Sequence, residues 1–271
     1  KEVFLDSDTK MALLTGAPFD DPSWWLLSND AIQNACRAVN KLAGGTRMLG
    51  HTVITPKYPN WMDEVDRAIE VLKPVSWKSY TIGDPFGPSK YAWRLDDEKL
   101  MYPFYEKAIK SGINTICIHK GLMPRDYEKA FAGTWESATV NDLGKAARDW
   151  PGMNFVIYHA AMRPWLADSP EKEMAEFMKS GYIQWSTDLA RIPEKFGVNN
   201  VYAEIGSTFA SPMAPGRRHR GRHGGGQTGG SVPAGWRGCA PAPAPPSARR
   251  LPALLCGAAR LGMGHCRAAH P

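Results

Sequence analysis

The sequence predicts a parallel α/β barrel, and three observations lead to this fold class. Six strand-like apolar runs recur before residue 210, at 11–14, 48–54, 75–81, 113–119, 155–159 and 201–205. Several are continuous rather than alternating, as expected for strands that are covered on both faces. Helical patterns without hairpin signals separate them, and His119 and His159 end two successive runs. Because ligands bind at the carboxyl ends of parallel strands, we expect both imidazoles at one functional edge.

The helices between these strands are predicted from their end signals. Ser28, Thr139 and Ser169 are candidate N-caps, the last followed by a proline at the first helical position. Pro74 is expected to stop the helix that precedes it. Together the patterns predict helices at 28–44, 61–72, 96–111, 139–149 and 169–181.

The choice between a barrel and a doubly wound sheet rests on motifs and on the residues at the strand ends. Neither a G-x-G-x-x-G motif nor a G-x-x-x-x-G-K-S/T motif follows any predicted strand, which removes the usual support for a nucleotide-binding open sheet. Polar or ionisable residues occur at several strand ends and favour a barrel, where all strands point into one site: His51, Lys78, His119, His159 and Glu204.

Composition divides the chain into two parts near residue 210. Residues 211–271 contain nine Arg, twelve Gly and nine Pro but no Asp, Glu or Lys, so the formal net charge of +6 becomes −3 for residues 1–210. We predict a partial barrel over 1–210 and a disordered, low-complexity tail over 211–271. The abrupt change resembles a GC-rich coding region translated in the wrong frame, so we interpret the tail as a frameshift product.

Bulk properties narrow the class of protein. The hydrophobic content of 43% is sufficient for a sizeable core. Cys36 and Cys117 lie in helix and strand patterns and are expected to be reduced and buried. No run approaches the roughly 20 apolar residues of a membrane span, and no signal-like N-terminus is visible, which favours a cytoplasmic location.

Three segments carry a family resemblance: Ile-Cys-Ile-His119-Lys-Gly-Leu, Val-Ile-Tyr-His159-Ala and Val-Tyr-Ala-Glu204-Ile-Gly. In this order and spacing they resemble the amidohydrolase-related branch of the metal-dependent hydrolases, which has a distorted (β/α)8 TIM barrel and includes decarboxylases of aminocarboxymuconate-semialdehyde type. The resemblance makes the run at residue 11 the second barrel strand and the run at residue 201 the seventh. It places the family's H-x-H strand before Lys1 and an eighth-strand aspartate after Glu204, yet no Asp follows Asp188.

The resemblance implies a metal site and a reaction. His119 takes the position of the fifth-strand metal ligand, and His159 that of the sixth-strand histidine, which binds metal or acts as an acid or base. A divalent ion, most simply Zn²⁺, would activate water toward a small carboxylate, lactone, amide or aromatic acid. Hydrolysis is the favoured reaction, and non-oxidative decarboxylation is the alternative. We expect a small-molecule substrate and neither a nucleic acid nor a membrane as partner. Whether the chain forms a homo-oligomer is left open.

Five further residues complete the candidate list. Glu204 either forms an ion pair with a neighbouring Arg or Lys or orients a ligand histidine. Lys78 is expected to contact a substrate carboxylate or form an interior ion pair, although related barrels carry a carbamylated lysine on that strand. Arg163, with Trp165, either grips an anionic or aromatic substrate or is a surface arginine beside a half-buried tryptophan. His51 is expected to be a core or rim histidine.

Two interpretations from other classes stay open. The missing first-strand ligands and eighth-strand aspartate are also what an inactive barrel fragment would show. The arginine-rich tail could alternatively bind a polyanion, because it resembles nucleic-acid-binding segments in composition.

Overall fold

The computed structural model describes residues 4–164, 170–206 and 258–260. Six parallel strands pair with one another in the order in which the chain visits them. They are β1 (Ala12–Leu14), β2 (Met48–Val53), β3 (Ser76–Tyr80), β4 (Thr115–His119), β5 (Asn154–Tyr158) and β6 (Val201–Glu204). A doubly wound sheet reverses its strand order at a switch point, and this sheet has no reversal. The curled sheet is therefore an arc of a (β/α) barrel, and the predicted partial TIM barrel is confirmed.

A seventh strand, β7 (Ala258–Arg260), pairs antiparallel with β6. These three residues are the only part of the predicted tail with a described position. The disorder predicted for the rest of 211–271 concerns residues outside the described ranges, so the boundary near residue 210 stays a prediction.

Seven α-helices accompany the strands in the described part of the chain. They are α1 (Asn29–Ala43), α2 (Trp61–Arg67), α3 (Tyr102–Lys110), α4 (Tyr127–Ala130), α5 (Leu143–Asp149), α6 (Pro170–Ser180) and α7 (Ser186–Phe196). Ser28 caps α1, since its Oγ accepts a hydrogen bond from the Ala31 amide at 3.1 Å, and Gly44 ends that helix in the left-handed region. These caps confirm the predicted bounds of α1.

Two helices begin later than predicted. The carboxylate of Asp97 accepts hydrogen bonds from the amides of Lys99 and Leu100, which holds a turn, and α3 begins only at Tyr102. The Thr139 hydroxyl donates to the carbonyl oxygen of Glu136 and makes no cap hydrogen bond to α5. The expected start at 96 and the expected cap at Thr139 are wrong, because these side chains stabilise local turns instead.

The core lies between the outer face of the sheet and the helices. The Trp77 ring packs edge-on against Phe104 of α3 at 5.3 Å, and Tyr105 of the same helix packs against Phe155 at 5.5 Å. All four rings are fully buried. Because side chains alternate along a strand, the residues next to Trp77 and Phe155 point to the inner face. Polar and titratable groups lie on that inner face.

Two further expectations concern cysteines and membranes. Cys36 and Cys117 are buried free thiols, as predicted. No helix in the described ranges is both long enough and apolar enough to cross a lipid bilayer.

Candidate functional site

The two histidines lie next to each other at the carboxyl edge of β4 and β5. His119 is the last residue of β4, and His159 directly follows β5. The strand register pairs His119 with Tyr158, which brings the next residue alongside. Adjacent parallel strands thus deliver both imidazoles to one point, as their positions in the sequence predicted.

The imidazoles are in hydrogen-bond contact. Nε2 of His159 lies 3.1 Å from Nδ1 of His119, and the ring planes are inclined at 72°. Burial lowers the pKa of His159 to about 4, with the charge of Lys78 as a smaller cause. The pKa of His119 lies well below its usual value for the same main reason. Both rings are therefore neutral at pH 7, which is the form that binds a metal.

The backbone around His159 is strained. His159, Ala160 and Ala161 have φ values of 59°, 48° and 53°, so three consecutive non-glycine residues lie in the left-handed region. This conformation costs roughly 1–2 kcal/mol per residue, because Cβ approaches the following carbonyl oxygen. Strain of this kind is retained where neighbouring contacts enforce it, and it clusters at functional sites.

Glu204 at the end of β6 supports the His159 turn. Its Oε2 accepts a hydrogen bond from the His159 amide at 3.2 Å and lies 4.0 Å from Nδ1 of the same residue. Its Oε1 accepts from the Gly206 amide. No ion pair between Glu204 and an Arg or Lys occurs among the described residues. Of the two interpretations, these contacts favour the one in which Glu204 orients His159.

Aromatic packing holds the other histidine. The Tyr80 ring stacks on the His119 ring, with 4.3 Å between centroids and 11° between planes. Tyr80 is also the register partner of His119 across β3 and β4. The orientation of His119 therefore follows from the pairing of two strands.

Lys78 is buried on the inner face of β3, with 1% of its surface exposed. Its Nζ lies 3.5 Å from the centre of the Tyr158 ring and 4.8 Å from that of Tyr80. Within the described ranges Nζ has neither a hydrogen-bond partner nor an ion pair, so the expected interior ion pair is not formed there. Burial lowers its pKa to about 7.

His51 links three strands inside the sheet. Its Nε2 lies 2.9 Å from the Tyr158 hydroxyl and its Nδ1 lies 2.8 Å from the Ser76 hydroxyl. It is fully buried, and burial lowers its pKa to about 3. With both ring nitrogens engaged, His51 is a core histidine, as expected.

Arg163 connects loops and does not lie on the surface. Its Nε donates to Oε1 of Gln184 at 2.9 Å, its Nη1 donates to the Met123 carbonyl oxygen at 3.3 Å, and only 5% of its surface is exposed. The expected surface arginine is therefore wrong, and these bonds instead fix the loop after β5. Trp165, its proposed companion, lies outside the described residues.

A buried ion pair next to the histidines was not predicted. Lys120 follows His119 directly, and its Nζ lies 2.9 Å from Oδ1 of Asp142 and donates to the Ser137 carbonyl oxygen at 2.9 Å. Both side chains of the pair are at most 2% exposed. The sequence signal was weak, because the partner carboxylate lies 22 residues away.

The geometry permits part of a metal site. Two imidazole nitrogens that bind one Zn²⁺ at 2.0–2.1 Å in tetrahedral arrangement lie about 3.3 Å apart, close to the 3.1 Å between these histidines. Across 4–164, 170–206 and 258–260, however, no group of three or more His, Cys, Asp or Glu residues is placed to hold a metal. Catalytic zinc usually has three protein ligands, so His119 and His159 would supply two of them.

Comparison with known proteins adds little to this geometry. No protein-family profile matches the chain, and no curated protein matches it. Among solved structures, the chain is similar to an uncharacterised TIM-barrel protein, Bb4693 from Bordetella bronchiseptica, with 12% identity and a TM-score of 0.49. The match covers 72% of this chain and 54% of that one, so this chain spans about half the length of that protein.

Proposed function

We propose that the chain carries part of the catalytic site of a metal-dependent hydrolase of the amidohydrolase-related type. The observation that supports this proposal is the 3.1 Å separation of the His119 and His159 nitrogens at the carboxyl edge of a barrel arc. Two neutral imidazoles at one point match the ligand chemistry of Zn²⁺ and similar divalent ions. The substrate would be a small carboxylate, lactone, amide or aromatic acid.

The residues of this chain have separate roles in such a site. His119 and His159 would hold a divalent ion, which when bound supplies a water of lowered pKa or polarises a substrate oxygen. Glu204 fixes the His159 ring through the backbone amide and the proximity of its carboxylate to Nδ1. Tyr80 orients His119 by stacking. Further ligands would come from outside the described residues.

An inactive barrel fragment is the rival proposal, and one observation favours it. The described part of the chain offers two ligand histidines and no third residue with them. Two histidines alone would bind zinc weakly, and the contact between His159 and His119 would then be a hydrogen bond within the fold.

Metal analysis of the purified chain separates these proposals. We expect one equivalent of zinc or another divalent ion after dialysis, and its loss in both His119→Ala and His159→Ala. His51→Gln is the matched control, because His51 is a buried histidine whose two nitrogens already bond to Tyr158 and Ser76. Metal content that is absent in the parent chain, or unchanged in both ligand variants, would support the inactive fragment.

The reaction requires a second measurement. The metal-loaded chain is incubated with a panel of aromatic carboxylates, lactones and amides, while released CO₂ and ring or amide opening are followed separately. Opening without CO₂ supports the hydrolase. CO₂ release without opening would replace it with the decarboxylase.

A further inference from the structure

Lys78 is a buried amine that is not among the proposed metal ligands. It lies on the inner face of β3 with 1% of its surface exposed, and its Nζ has no hydrogen-bond partner within the described ranges. Lysine is seldom buried unless its charge is paired. The faces of the Tyr158 and Tyr80 rings offset part of the cost of burying an ammonium there, but burial outweighs them and shifts the equilibrium toward the neutral amine.

The neutral amine is held in a fixed position by aromatic rings. Nζ lies 3.5 Å from the centre of the Tyr158 ring, and the Tyr158 hydroxyl is fixed by Nε2 of His51 at 2.9 Å. His51 is in turn fixed by the Ser76 hydroxyl at 2.8 Å. A desolvated lysine against apolar surfaces is one of the arrangements that make an amine nucleophilic.

Lys78 lies two residues before the carboxyl end of β3. Tyr80 follows it on the same face of β3, and Tyr158 ends β5. Both tyrosines and His119 are partly exposed, whereas Lys78 is not. A small molecule that enters between these side chains from the carboxyl edge would meet Nζ.

We propose that Lys78 is a carbonyl-reactive residue that forms a Schiff base with a small, uncharged aldehyde. Nζ attacks the carbonyl carbon, a C–N bond forms, and the carbonyl oxygen takes up a proton to give a carbinolamine. The C–O bond then breaks, the second amine proton leaves with the oxygen as water, and C=N forms. The reaction consumes amine and aldehyde, releases one water and needs no oxidant or reductant.

The surroundings define the class of aldehyde. The rings of Tyr80 and Tyr158 present apolar surface to Nζ. An apolar surface gives the carboxylate of an anionic keto acid no polar partner, so an uncharged aldehyde is favoured. Nζ is sealed from solvent in the fold, so the rings that cover it must move to admit an aldehyde, and this favours a small one. These features favour acetaldehyde or propionaldehyde over pyruvate.

Reductive trapping tests the proposal. The chain is incubated at pH 7 with acetaldehyde and sodium cyanoborohydride, and N-ethyl lysines are mapped by peptide mass spectrometry. Lys73 is the internal reference, because it is exposed in the connection that precedes β3. We expect Lys78 to be modified at least about tenfold faster than Lys73, with little reaction toward pyruvate.

Two variants complete the experiment. Lys78→Met keeps an apolar side chain of similar length and should lose the fast adduct, whereas Lys73→Met should keep it. The parent chain treated with a chelator should also keep it, so failure of the metal proposal and failure of this one can be told apart. An unmodified Lys78 peptide in the folded chain, with modification only after denaturation, would overturn the proposal.

Discussion

His159 is held in its position by a balance between strain and contacts. Its left-handed backbone and that of the next two residues store energy, which the hydrogen bond from its amide to Glu204 offsets in part. A second bond joins the Met162 amide to the His159 carbonyl oxygen at 2.9 Å and closes the turn. The imidazole is therefore positioned by a short segment whose conformation most residue types disfavour.

Replacing Ala160 with glycine tests this strain. Ala160 has a φ of 48°, where glycine has no Cβ penalty, so Ala160→Gly should raise the free energy of unfolding by about 1 kcal/mol. Ala38→Gly in the exposed interior of α1 is the control and should lower it by about 1 kcal/mol. Urea unfolding measures both. A loss of stability in Ala160→Gly similar to that in Ala38→Gly would contradict the strain.

The buried amine of Lys78 reduces the stability of the fold in a pH-dependent way. Its pKa is about 7 in the folded chain and about 10.5 when unfolded. Between these values the unfolded state binds one more proton than the folded state, so stability rises with pH. Lys78→Met should therefore increase the free energy of unfolding by ~3 kcal/mol at pH 8, and the gain should shrink toward pH 10.5. A gain that does not vary between pH 8 and 10 in urea titrations would disprove the shift.

The site was predictable where function coincides with strand ends. His119 and His159 were found because each ends an apolar run, and register then sets their distance. The contacts of Glu204 depend on the left-handed turn at residues 159–161. Two alanines in that segment do not predict a left-handed turn from the sequence. Arg163 is hydrogen-bonded to Gln184, which lies 21 residues away in the sequence. No local sequence pattern indicates such a contact.

At the scale of elements, the loops after β4 and β5 are joined by their backbones. The Leu122 amide donates to the Met162 carbonyl oxygen at 2.6 Å, and the Met123 amide donates to that of Arg163 at 2.7 Å. Gly121 lies where these loops approach each other most closely. A Cβ on Gly121 would lie 2.5 Å from the Met162 oxygen and 2.6 Å from the Ala161 carbonyl carbon. The candidate site therefore depends on a glycine that has no part in its chemistry.

Two glycine variants separate conformational strain from this close approach. Gly121 and Gly112 have φ values of 76° and 77°, but a Cβ on Gly112 would meet no atom within 4 Å. Gly112→Ala should cost about 1 kcal/mol through backbone conformation alone. Gly121→Ala should cost about 3 kcal/mol or more, because backbone atoms must move. Equal losses in thermal or urea unfolding would show that the loops can separate freely.

The elements themselves were predictable to different degrees. All six parallel strands were found, because buried strands are continuous apolar runs bounded by turn residues. The second half of the predicted 61–72 helix is a π-helical turn, in which the Lys73 amide donates to the Ala68 carbonyl oxygen. α7 was not predicted, because Pro193 inside it interrupts the sequence pattern that is typical of a helix.

For the whole molecule, the arc has an apolar outer face and an inner face that contains neutral titratable groups. Burial lowers the pKa of His51 to about 3, that of His159 to about 4 and that of His119 well below 6.5. The carboxylates with lowered pKa values, such as Asp149 at about 2, are nearly all on the surface. Acid therefore acts on the interior and on the surface in different pH ranges.

This separation predicts how the metal-free chain unfolds in acid. Between pH 6.5 and about 4.5 His51, His119 and His159 take up protons more readily in the unfolded state, because burial lowers their pKa values in the fold, so stability decreases as the pH falls. Each histidine contributes up to about 1.4 kcal/mol per pH unit in this range. The surface carboxylates with lowered pKa values contribute only near and below their unfolded values of about 4, and Lys78 contributes near pH 7. Urea unfolding of the Lys78→Met chain between pH 5 and 6.5, in the presence of a chelator, therefore isolates the histidines. His51→Gln should reduce the slope by about one third, since one of three equivalent contributions is removed.

A free energy of unfolding that is constant across this range would mean that the histidines are protonated in the fold, and the neutral pair at the candidate site would then be wrong.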